Sequence, residues 1–580
     1  MKLLKLIVGI LVLALFTSFA FIISPKEEVE LQIDVPAVTL TSSYSINGEP
    51  FPESQYTRAF FSLRNPDSGD TIALGHSNDQ YHSTLIIPDV YDLIYAHTQG
   101  SEIPQNKDSI FRSTVAIQTD QDLDINVSSV VIRPHFTLNG KPFSTSVYNS
   151  AEFYLQHISG GERISLGKSY QAGEPIIILP GIYNVIYSHQ NGSGVPQNQD
   201  AIVKAAVTID VDQVLEVDVP AVTLRSTYSL NGEPFSVSQY TKAFFSLRNP
   251  DSGDTVELGY SNDQYHSTMI VSGVYDVVYT HTIGTEIPQN KDAIVMSDVD
   301  ISSRRALPID VPAVTLTSSY TMNGAPFPES QYTRAFFSLR NPDSGDTIAL
   351  GYSNDQYYST LLIPGVYDAI YVHTQGSEIP QNQDAIVMSD VNISSSQALA
   401  IDVPAVTWTS SYTMNGAPFP ESQYTKAFLS LRNQDSEDTV ALGYSNDEYH
   451  NTMIIPGVYD VNYTHTIGSE IPQNEDAIVM SDVNINSSQA LAIDVPAVTL
   501  TSSYTMNGDP FPESQYVRAF FSLRNQDSED TVALGYSNDQ YHSTLIIPGV
   551  YNVTYAHTQG SEIPQNKDAI VMSDVNIKSS

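Results

Sequence analysis

A six-residue phrase returns along this chain at a fixed interval, and that return constrains the fold more than any other feature. Ile33-Asp34-Val35-Pro36-Ala37-Val38 and its variants recur every 92 residues, with units opening at Leu31, Leu123, Leu215, Leu307, Leu399 and Leu491. The repeats therefore occupy 31–122, 123–214, 215–306, 307–398, 399–490 and 491–580, behind a short linker at 25–30. Five copies are nearly identical, so their agreement says little about which residues matter. The copy at 123–214 has drifted, and a position that survives there is the better filter.

Within a unit the apolar period is two. Leu31, Ile33 and Val35 alternate with polar residues, and after Pro36 the phase shifts to Val38, Leu40 and Tyr44. Asn47-Gly48, repeated as Asn139-Gly140 and Asn323-Gly324, predicts a tight hairpin whose two central residues take positive φ. Further strands are expected over Ala59–Arg64, Thr71–Gly75, Tyr81–Ile87, Val90–His97 and Arg112–Ile117, parted by turns such as Asn65-Pro66-Asp67-Ser68-Gly69-Asp70. A single sheet would leave one face bare, whereas two stacked sheets bury both sets of alternate side chains. The expected fold is all-β: six tandem antiparallel β-sandwiches in an elongated array, behind an N-terminal apolar helix. End to end, the units would reach roughly 200 Å.

The run Pro364-Gly365-Val366-Tyr367-Asp368-Ala369-Ile370-Tyr371, preceded by an Asn-Gly turn and a strand ending in Leu-Gly, resembles the carboxypeptidase-regulatory-like (transthyretin-like) sandwich modules repeated in bacterial surface proteins. The resemblance covers each unit and rests on short motifs. It implies a module that is generally non-catalytic, and it names no ligand.

The phase shift at Pro36 carries a further expectation. Leu31–Val35 reads as the last strand of a preceding sandwich, which leaves one spare strand at the start of the chain and one empty edge after Asn576-Ile577. Donation of that strand between chains would build head-to-tail fibres, because a heterologous contact that does not close propagates. The competing arrangement pairs Leu31–Val35 within its own unit.

Location and partner class follow from the start of the chain and its charge. Lys2 and Lys5 precede an uncharged apolar run, Leu6–Ser24, with Ser18-Phe19-Ala20 as a small-x-small cleavage pattern. Residues 1–24 read as a cleaved signal peptide or an uncleaved anchor; both place the repeats outside the cytoplasm, at the cell surface, in the periplasm or in the medium. Membrane contact is expected only through residues 6–24, if they are retained. With 26 Lys and Arg against 65 Asp and Glu, the formal charge of −39 excludes nucleic-acid binding. The chain has no Cys, so neither disulfides nor thiolate chemistry hold or serve these domains.

Three candidate sites stand out, each beside a structural alternative. His97 recurs in all six units, followed by a loop whose Asn106 and Asp108 also survive in the drifted copy; the fourth unit has His373, Asn382 and Asp384. This pattern fits a ligand loop, or side chains that satisfy the backbone of a loop outside any ladder. The acidic turn, with Asp67 and Asp70 in unit one and Asp343 and Asp346 in unit four, offers oxygen ligands to calcium, though Asp and Asn also form turns. Tyr81 and Tyr357, near a loop, are candidates for stacking on a sugar, whereas Tyr91 and Tyr95 share a strand face and belong to the core. No Gly-x-Ser-x-Gly elbow or His-Glu-x-x-His helix occurs. The expected function is that of a non-catalytic exported repeat protein, an adhesin-like surface rod or spacer. A multivalent glycan- or protein-binding array and a fibre subunit are the alternatives, and a secreted enzyme is the remote one.

Overall fold

The computed structural model describes residues 28–578 except positions 53, 55, 80, 81, 172, 264, 265, 304, 305, 356, 357, 448, 449, 527, 529, 540 and 541. The apolar segment at 1–24, and the apolar helix expected there, lie outside the described residues. No helix among those described is long and apolar enough to cross a membrane.

The first stretch of chain contains β1 (Glu28–Val35), β2 (Val38–Ile46), β3 (Glu49–Pro50), β4 (Arg58–Arg64), β5 (Thr71–His76), β6 (His82–Ile86), β7 (Asp89–Gln99), β8 (Ser109–Ile117) and β9 (Gln121–Val127). In one sheet β2 is flanked on one side by β6 and the short β3, and on the other by β9. The second sheet runs β5-β4-β7-β8, all antiparallel. The alternating burial of β4 shows why: Ala59, Phe61 and Leu63 are fully buried while Arg58, Phe60, Ser62 and Arg64 are not. Between the sheets the Tyr44 ring stacks on Phe61 at 4.5 Å and Tyr95 meets Phe61 edge-on at 5.6 Å. Tyr91 and Tyr95 are core residues, as their shared face predicted. So is Trp408, which is fully buried in place of Leu40 and whose indole Nε1 has no hydrogen-bond partner.

Burial also sets an alkaline limit. Desolvation pushes the phenols of Tyr44, Tyr320 and Tyr412 from 10.0 up to about 12, against a smaller opposing pull from Ser42, Ser318 and Ser410. A proton held more tightly in the folded state contributes stability that is complete below pH 10.0 and is lost as pH rises towards about 12. Phenolate absorbance should therefore rise late, together with loss of near-ultraviolet circular dichroism. Ionisation of every tyrosine near 10.0 with the fold intact would contradict this burial.

The sandwiches are joined by exchange of one strand. β9, which leads into the second unit, lies parallel to β2 of the first, Leu40↔Gln121 through Ile46↔Val127. Gln213–Val219, Ala306–Val311, Gln397–Val403 and Gln489–Val495 complete units two to five in the same way. In unit six the acceptor Val498–Met506 receives β1, in parallel register from Glu28↔Thr499 to Val35↔Met506. Leu31, Ile33 and Val35 sit in the core of the sixth sandwich. The spare strand thus fills the empty edge of its own chain, and pairing of Leu31–Val35 within unit one does not hold.

This corrects the elongated array. A head-to-tail contact repeated with the same rotation closes when the rotations sum to a full turn, and six units suffice here. The result is a ring, with the donation expected between chains satisfied within one. Linkers of two residues, such as Pro36-Ala37, leave little play, and Asn507 clamps this one by accepting from Ala37 N at 2.9 Å and donating to Ala37 O at 3.0 Å. Asn507 and Gly508 have φ of 52° and 81°, the turn that the Asn-Gly pair predicts.

Candidate binding site

The loop between β7 and β8 has two halves with different partners. Its first half is internal: the Gly100 carbonyl accepts from His97 Nε2 at 2.7 Å and from Gln105 Nε2 at 2.9 Å, and Gln105 Nε2 also donates to Ile103 O at 3.0 Å. His373, Gly376 and Gln381 repeat the arrangement in unit four. This is the backbone-satisfying role that the sequence pattern allowed.

The second half reaches into the next unit. Asn382 is fully buried, donates to Asp438 Oδ2 at 2.5 Å and Tyr459 Oη at 3.1 Å, and accepts from Ile455 N at 2.8 Å. Asp438 Oδ1 accepts the backbone amides of Gln383 and Asp384 at 2.7 and 2.9 Å. Asn566 makes the same contacts to Asp70, Tyr91 and Ile87, so the closing junction repeats those within the chain. Ile87 is also buried in the core of the sixth sandwich. At Asp254 burial pushes the carboxyl up, and the donors Asn198, Asp200 and Gln199 pull it back.

These contacts separate the residues that sequence placed together. Asp70 and Asp346 are buried, their lone pairs turned to N–H donors where calcium would need them. Asp67 and Asp343 stay on the exposed face of their turns. Asp108 pairs with Arg64, and Asp384 with Arg340 at 2.9 Å. Among the described residues no three His, Asp or Glu side chains gather as a metal cluster. Tyr81 and Tyr357 lie outside the described residues.

A surface feature that sequence reading passed over lies behind the His97 loop. Tyr56, Tyr148, Tyr240, Tyr332, Tyr424 and Tyr516 occupy one position in all six units and are 64% to 80% exposed. Each tops a short turn before the β4-type strand, in which the Tyr332 amide bonds Ser330 Oγ at 3.0 Å and the Thr333 amide bonds Ser330 O at 3.3 Å. Gly376 packs beneath that turn with φ of +100°, and a Cβ there would stand 2.8 Å from Thr333 Cα. His373 and Gln381, by holding the Gly376 carbonyl, buttress the turn that displays Tyr332. The signal was available: the drifted copy, which drops so much else, keeps Tyr148. Because equivalent junctions relate the units, the six rings lie on one circle about the axis of the toroid.

No family model matches the chain, and no curated protein is similar to it. Among solved structures it is similar to the Bacillus anthracis TIE protein, at 10% identity and TM-score 0.15 over 60% of this chain and 68% of that one. It is also similar to a streptococcal ancillary pilin, at 9% identity and TM-score 0.16 over 47% of this chain and 98% of that one. Two B repeat units of the Staphylococcus aureus collagen binding protein match at 12% identity and TM-score 0.13, over 63% and 99%. Likenesses this remote carry no argument about function. The class stands on the chain's own geometry: tandem β-sandwich repeats joined by strand exchange and closed into a ring.

Proposed function

We propose that this protein is an exported, non-catalytic, adhesin-like ring that binds carbohydrate through six equivalent tyrosines. The observation that carries the reading is the circle of exposed Tyr56-type side chains, each on a braced turn, at a position that the drifted unit keeps as Tyr148. A single exposed aromatic ring suits the flat apolar face of a sugar better than it suits a protein interface, which needs a contiguous buried patch. One such ring binds weakly, and six on a rigid frame multiply weak contacts by avidity. The apolar start of the chain supports export, and the acidic surface leaves neutral glycans as the fitting class.

The test is a surface printed with neutral oligosaccharides, probed with the chain from Pro25 onward. Tyr332→Ala should weaken retention about fivefold, from about 1 kcal/mol of lost stacking. Replacing all six tyrosines by Ala should abolish retention with the melting temperature unchanged. Retention by the sixfold variant equal to that of the parent, or no retention of either, would refute the reading.

A further inference from the structure

Five of the six junctions are built around a buried aspartate, and the sixth lacks it. Asp70, Asp254, Asp346, Asp438 and Asp530 each accept one side-chain amide and two successive backbone amides from the neighbouring unit, as Asp530 does from Asn474, Glu475 and Asp476 at 2.5, 2.8 and 3.0 Å. Where unit one meets the drifted unit two, the equivalent residue is Glu162. Its side chain is 62% exposed and turned outward to Lys107 Nζ at 3.5 Å. Asn106 still donates to Tyr183 Oη at 3.0 Å and accepts from Leu179 N at 2.8 Å. Among the described residues, however, no carboxylate receives its second amide proton or the backbone amides of Lys107 and Asp108.

The donors left without a carboxylate border a cavity of about 390 Å³. Its walls include Arg64, Asn106, Arg112, His157, Gly161 and Tyr183. Arg112 is particular to this junction: Met296, Met388, Met480 and Met572 hold the position in units three to six, and Lys204 in unit two. It makes no ion pair among the described residues, whereas Arg64 is engaged by Asp108. His157 stands where Asn65 holds the turn in unit one. One junction has thus lost an internal anion, kept the donors that bound it and gained a free guanidinium, in a chain of formal charge −39.

We infer that the cavity between the first and second units is a binding site for an organic carboxylate, which takes the place of the missing aspartate. The carboxylate accepts from Asn106 Nδ2 and the amides of Lys107 and Asp108, as the internal ones do from their counterparts, and Arg112 supplies charge. The same chemistry is offered by a uronic-acid sugar and by an acidic peptide side chain. The site is single per ring and independent of the tyrosine circle.

Titration calorimetry on the chain from Pro25 onward, which contains every described strand, tests this with two probes, galacturonate and N-acetyl-aspartate amide, and with galactose as the neutral control. One equivalent of one or both acids should bind, and galactose should not; the acid that binds identifies the source. Arg112→Met installs the residue that four other units carry and should weaken binding about tenfold. Restoring the turn of unit one, by His157→Asn, Ile158→Pro, Ser159→Asp, Gly160→Ser and Glu162→Asp together, should supply an internal carboxylate to these donors and abolish binding. Arg112→Met keeps the question open to measurement even if that fivefold variant fails to fold. Absence of binding by both acids, or binding unchanged in Arg112→Met, would overturn the inference.

Discussion

Deleting Glu28–Ala37 should open the ring and leave its sixth sandwich unable to hold its fold. The deletion removes Leu31, Ile33 and Val35 from a core in which they are 9%, 1% and 0% exposed. At about 2 kcal/mol for each buried aliphatic side chain the loss is about 6 kcal/mol, comparable to the whole stability of a small domain, about 5–15 kcal/mol. The clamp of Asn507 on Ala37 and the bonds of Asp34 to Thr505 and Gly508 go with it. The remaining units keep their own donated strands. Small-angle scattering should report the largest dimension growing towards roughly 200 Å, about threefold the diameter of a ring whose circumference has that length. Proteolysis should begin within 498–577. A synthetic peptide of Glu28–Ala37 should restore protection by adding the strand from outside. An unchanged scattering profile and a protected sixth unit would mean that β1 contributes nothing to closure.

The second large effect is expected from Asn382→Ala. This side chain satisfies three buried groups at once, the amide of Ile455, the hydroxyl of Tyr459 and the carboxylate of Asp438. Truncation leaves them underbonded where little water reaches, at a cost of about 3 kcal/mol. For a unit of this size the melting temperature should fall by roughly 15 °C. Trp408 is the only tryptophan and lies in the core of unit five, the unit that Asn382 caps, so its fluorescence reads this junction directly. Gln383→Ala is the control, because the Asp438 carboxylate takes only the backbone amide of Gln383 and should not sense its side chain. Equal melting of the two variants would remove Asn382 from the account of the junction.

How much of this was legible in the sequence differs from residue to residue. The period-two runs, Asn47-Gly48 and the phase shift at Pro36 spoke of local geometry, and they led to the sandwich, the hairpin and the donated strand. Closure was not legible, because one spare strand and one empty edge fit a fibre and a ring equally well. The choice lies in the rotation between neighbouring sandwiches, which is set by packing around Ile87 and Asn566 and has no motif. The His97 loop was visible as a pattern whose purpose was hidden, since Asn106 finds its partner Tyr183 77 residues onward. Asp70 looked like a turn former or a calcium ligand for the same reason: its donors, Asn566, Lys567 and Asp568, come from the far end of the chain. Tyr56 could have been singled out, because it passes the filter that selected His97.

Closure within one chain is most directly tested by a cross-link, and the absence of native cysteine makes the experiment clean. Gln32 and Ser503 are register partners in the parallel pair, and both lie on its solvent side. With Gln32→Cys and Ser503→Cys in one chain, oxidation at low concentration should give a disulfide-closed monomer that migrates anomalously until reduced, in a yield independent of concentration. Cross-linking only between chains, as a ladder that grows with concentration, would contradict the ring and return the donated strand to a fibre.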